Sequence, residues 1–112
     1  MSVTLTASSN HTETPVDLEF LGTTLAKNSV HLEEVGKFTH EVSEALHSKS
    51  SKHKFIISVT KIISPTPVKA DLKFRNSVCA IWDQNKDGFY SFEVKPPETK
   101  SYMVTIFWIS RF

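Results

Sequence analysis

The hydrophobic period of this chain changes once, near residue 50, and that change constrains the fold more than any other feature. Before it, apolar residues recur at helical spacing; after it, from Phe55 onward, they alternate. Helical and extended segments are therefore segregated along the sequence. That order argues against a βαβ layout and predicts an α+β fold in which two N-terminal helices pack on a four-stranded antiparallel sheet.

The helical half begins at Thr14-Pro15-Val16-Asp17. Thr14 is placed to cap, Pro15 suits a first turn and Asp17 faces the positive end of the helix dipole. Leu18, Leu21 and Leu25 share one face, and Gly22 keeps this helix short. A second helix is predicted over 29–47. Its stripe is Leu32, Val35, Phe38, Val42, Ala45 and Leu46, with Glu33 and Glu34 at its start and His47 and Lys49 near its end. Residues 1–13 are rich in Ser and Thr and show no apolar periodicity. They read as a flexible N-terminal tail, which leaves 14–112 as one domain.

The alternating half contains four predicted strands. Residues 55–63 are apolar on both faces at their start, which places this strand inside the sheet. Ser64-Pro65-Thr66-Pro67 must end it. A long strand over 69–82 follows, then a polar turn over 83–88, a strand over 89–95 ended by Pro96-Pro97, and a strand over 101–110. The last is the most apolar and belongs in the centre.

Composition narrows the function. Thirteen basic residues against twelve acidic ones give a net charge of +1 in 112 residues, without the basic stripe of a nucleic-acid binder. Cys79 is the sole cysteine, so a reducing compartment is expected. Residues 1–14 lack the basic and apolar regions of a secretory signal, and no apolar run is long enough to insert in a membrane. Asn10-His11-Thr12 matches a glycosylation sequon that has no use without secretion. A cytoplasmic location is expected.

Three constellations invite chemistry. Asp83, Asn85 and Asp87 ahead of Gly88 match the first half of an EF-hand loop. The position that needs a bidentate Glu is Val94, however, and the flanks alternate as strands do. A polar turn is the expected reading, with a calcium-binding module as the alternative from another functional class. His40, Glu44 and His47 lie at i, i+4 and i+7 but off the apolar stripe, as a solvated face would. Cys79 has no cysteine-enzyme signature around it, and no phosphate loop or nucleophile elbow is present. The expectation is a protein that is not an enzyme, with no catalytic residue, no cofactor and no metal.

The strands carry a resemblance. Residues 54–60 (KFIISVT), 78–83 (VCAIWD), 86–88 (KDG) and 104–110 (VTIFWIS) resemble, in order, the strand and turn signatures of the Tctex-type dynein light chain family. The likeness spans about residues 29–112. It implies a non-catalytic homodimer in which Val78, Cys79, Ala80, Ile81 and Trp82 swap across to the partner's sheet. It also implies that the edge formed by Lys69, Ala70, Asp71, Leu72, Lys73, Phe74, Arg75, Asn76 and Ser77 accepts an extended client peptide by β-augmentation. The implied partners are a second copy and the dynein intermediate chain or a cargo protein of this microtubule motor, which makes the protein cytoskeleton-associated. Some fungal relatives of that family serve cortical actin patches and endocytic machinery instead, so an adaptor of that kind is the alternative. Neither nucleic acid nor membrane insertion is implied.

Overall fold

The computed structural model describes residues 2–9, 14–63, 85–95 and 100–110. In chain order its elements are strand β1 (Ser2–Ser8), helix α1 (Leu18–Asn28), a 3₁₀ turn (Ser29–His31), helix α2 (Val35–Lys49), and strands β2 (His53–Ile63), β3 (Gly88–Lys95) and β4 (Lys100–Ser110). The strands form one antiparallel sheet in the order β1-β3-β4-β2. The two helices pack on one face of it, so the α+β class and the four-stranded antiparallel sheet are as expected.

Three details differ from the sequence reading. Residues 2–8 are a strand paired along β3, so the part of the expected flexible tail that is described is ordered sheet. Ser2, Thr4, Thr6 and Ser8 do alternate with Val3, Leu5 and Ala7. The apolar signal is weak because this strand gains its stability from main-chain pairing with a distant partner. Second, among the described strands β2 stands at the edge of the sheet and not inside it. Its Phe55, Ile57 and Val59 face the core, while Ile56 on the other face is 53% exposed. Third, α1 is capped by Asp17, whose Oδ1 accepts the Phe20 N–H at 2.7 Å, and not by Thr14.

The core lies between the helices and the sheet. Leu21 and Leu25 of α1, Leu32, and Phe38, Val42 and Leu46 of α2 meet Tyr90, Phe92 and Val94 of β3 and Tyr102, Val104, Ile106 and Trp108 of β4. Phe38, Val42 and Leu46 recur every fourth residue, so α2 buries a single stripe. Along β4 the even-numbered residues face the helices and the odd-numbered ones the opposite side. Two ties fasten the helical layer from outside: Lys61 pairs with Glu33 at 3.4 Å, and Lys49 Nζ sits 4.8 Å from the Phe20 ring centroid. No described helix is long and apolar enough to cross a membrane.

The connectivity has a directional consequence. β2 and β3 both run antiparallel to the β4 strand between them, so they are parallel to each other. The chain leaves β2 where Ile63 pairs with Lys100 and re-enters at Gly88, beside Trp108, at the other end of the sheet. The expected strand over 69–82 falls in this connection and lies outside the described residues.

Candidate functional site

Among the described residues, the two long margins of the sheet are suited to recognition: the outer side of β2, and the side of β3 along which β1 is laid.

His53–Ile63 pairs with β4 along its full length on one side, and among the described residues no strand pairs on its outer side. An unpaired strand presents a row of N–H and C=O groups that an extended segment can join. A cleft of about 530 Å³ wraps this margin. Ser43, Glu44 and His47 of α2, His53, Lys54, Phe55 and Ile56 of β2, and Ile109 of β4 line it. His53 is held in place through a 2.8 Å hydrogen bond between its Nδ1 and the Ser50 hydroxyl. Ile56 and Ile109 are among the exposed large apolar side chains, so the cleft offers an apolar floor with polar walls.

The β3 margin is occupied by β1. Val3 lies opposite Val94 and Leu5 opposite Phe92, and the register slips between Leu5 and Ala7. Hydroxyl groups complete the pairing. Thr6 Oγ1 donates to the Ser91 carbonyl at 3.2 Å. Ser9 closes the far end: its N–H donates to the Phe89 carbonyl at 3.0 Å and its Oγ accepts the Phe89 N–H at 2.8 Å. Gly88 makes this approach possible, because a Cβ there would lie 2.6 Å from Ser9 Oγ and 2.5 Å from Trp108 Cζ2. Gly88 has no positive φ, so space is what requires glycine.

The face of the sheet turned away from the helices is also distinctive. Ser91 and Thr105 share a buried 2.7 Å hydrogen bond, and the Phe89 and Phe107 rings lie 5.9 Å apart beside them. By strand alternation Met103, Ile56, Ile62 and Ile109 belong to this same face.

The residues singled out from sequence fare differently. Lys69 to Ser77, the expected client edge, and Val78 to Trp82, the expected swapped strand, lie outside the described residues, as do Asp83 and Cys79. Of the calcium-like loop, Asn85 and Lys86 form a turn and Asp87 is buried. The Asp87 carboxylate accepts the Ser110 N–H at 2.7 Å, which ties the turn to the end of β4. Removing that acceptor strands a partly buried amide, so Asp87→Ala should lower stability by about 1–3 kcal/mol, read as a shift of the urea midpoint at constant slope. His40 and Glu44 approach to 3.7 Å on an exposed face, and among the described residues no group of three or more candidate ligands could hold a metal. The sequence reading missed β1 altogether; its only local signal was the hydroxyl–aliphatic alternation of residues 2–8.

No family model matches the chain. It is similar to curated proteins of one description. The Topoisomerase I damage affected protein 2 of Clavispora lusitaniae is 32% identical over 109 residues, covering 97% of each chain. That of Kluyveromyces lactis is 28% identical over 113 residues, covering 96% of each. That of Candida glabrata is 32% identical over 71 residues, covering 62% of this chain and 63% of the relative.

Proposed function

The chain belongs to the family of Topoisomerase I damage affected protein 2, and we propose that it works there as a non-catalytic, dimeric adaptor of the Tctex dynein light chain type. It captures short extended segments of other proteins by β-augmentation. The observation that carries this reading is the β2 margin, on whose outer side no described strand pairs, beside an apolar-floored cleft. Main-chain groups of β2 supply affinity there, and Ile56, Phe55 and Ile109 supply pockets for alternate side chains of the incoming strand. The second copy is implied by the Tctex resemblance, which assigns its contact to Val78 to Trp82.

The dynein intermediate chain or a cargo protein is the client that the Tctex resemblance implies. A second reading is favoured by the sources of the relatives, which are fungi: an adaptor of the same fold serving a cortical actin or endocytic complex. Tagged full-length protein, crosslinked in cells and analysed by mass spectrometry, separates the two clients. Recovery of neither class would sink the adaptor reading.

Two measurements test the mechanics. Sedimentation equilibrium at micromolar concentration should give twice the 12.7 kDa chain mass; a monomer at every concentration removes the dimer. Ile56→Asp should weaken capture of the client peptide by about tenfold or more, since one lost apolar anchor is worth on the order of 1.5–3 kcal/mol. Ile56 is half exposed, so the variant should keep its fold and its circular dichroism spectrum.

A further inference from the structure

The sheet holds a second docking margin that is already filled. We propose that the outer edge of β3 is a binding site for an uncharged, hydroxyl-rich extended segment of a partner protein, and that β1 is a built-in occupant which such a segment displaces. This goes beyond the β2 margin and stands on different residues.

The two strands of the β1–β3 pair are unequal. β3 is built into the molecule: Gly88, Phe89, Tyr90, Ser91, Phe92 and Val94 are all buried. β1 is laid on from outside. Ser2, Thr4, Leu5, Thr6 and Ser8 are exposed, Leu5 is 41% exposed although it sits opposite core Phe92, and only Val3 packs against the core. The slip between Leu5 and Ala7 interrupts the ladder further. β1 is held by backbone pairing, by the hydroxyls of Thr6 and Ser9 and by Val3, features that another Ser/Thr-rich extended chain with an aliphatic at the matching position can reproduce.

The chemistry of the site defines its ligand. Glu93 and Lys95, the charged side chains of β3, neutralise each other at 2.9 Å, so the edge selects no net charge. Val3 against Val94 shows the size of the aliphatic anchor it takes. The Ser9 hydroxyl approaches so near to Gly88 that a Cβ there would lie 2.6 Å from it. The partner segment therefore carries Ser or Thr at alternate positions, a Val-sized residue near one end and a Ser at the other.

The test uses the chain's own segment as the probe. A fluorescent peptide of residues 1–10 is titrated into full-length protein and into a variant lacking residues 1–9. The truncated protein should bind it at least tenfold more tightly than the full chain, and a peptide carrying Val3→Asp or a scrambled order should lose that gain. Equal binding to both proteins, with both folded by circular dichroism, overturns the proposal. If the truncated chain does not fold, a protease site introduced between Ser9 and Thr14 gives a nicked full-length protein instead. Labelled peptide should then exchange into it, and a folded nicked protein that admits none overturns the proposal too. Sedimentation of the truncated protein decides the occupant: larger oligomers that the peptide does not dissolve would mean that a second copy, and not a partner segment, fills the edge. Because Ile56→Asp reports on β2 and the peptide reports on β3, the two readings fail separately.

Discussion

Trp108→Ala lowers the stability of this protein by about 3–5 kcal/mol, the largest loss expected from a truncation among the described residues. Trp108 is the largest fully buried side chain among them. Its ring packs 5.2 Å from Tyr90, sits across from Phe55 on β2 and covers Gly88 on β3. Three strands therefore lose contacts together, and a rigid sheet cannot collapse to refill the space. Urea denaturation followed by far-ultraviolet circular dichroism reads the change. A loss under about 1 kcal/mol would mean that this end of the sheet is loosely packed.

Gly88→Ala is the second large effect, and it arises from overfilling. The added methyl meets the buried Trp108 ring on one side and Ser9 Oγ on the other, both nearer than real Cβ contacts come. Forcing an extra methylene into a packed site costs about 1–3 kcal/mol. The cause is testable by a double-mutant cycle. In the Trp108→Ala background the ring's share of the obstruction is gone and only Ser9 Oγ remains, so Gly88→Ala should cost less than it does alone by about 1 kcal/mol or more. Additive losses would show that the methyl meets no obstruction from Trp108. A backbone-strain explanation makes no such demand, and the φ of Gly88 gives it no support.

The architecture was legible wherever a residue's neighbours in sequence are also its neighbours in the fold. Phe38, Val42 and Leu46 announce their shared helix face by spacing alone, and the apolar run of β4 correctly marks the central strand. The same logic misled at β2. Ile56 and Ile57 make both faces apolar, which reads as an interior strand, yet among the described strands β2 is at the edge, with Ile56 exposed. β1 was illegible for a different reason: the groups that hold Ser9 belong to Phe89, and no local pattern encodes a partner so far along the chain. Edge-strand recognition was expected on Lys69 to Ser77, which lie outside the described residues; the edges of the described sheet are β1 and β2.

The pairing of β1 with β3 also bears on how the chain comes off the ribosome. Ser2 is made ahead of Lys95, and its place opposite that residue exists only after about 90 more have followed. At 5–20 residues per second that leaves the segment without its template for roughly 5–20 s. The β3–β4 hairpin, by contrast, closes over a short span and can form almost as soon as it emerges. A waiting strand rich in valine and isoleucine would recruit other nascent chains. The serines and threonines of residues 2–9 make it a poor aggregator, so the composition that hid this strand from a hydrophobicity reading suits the long delay before it docks.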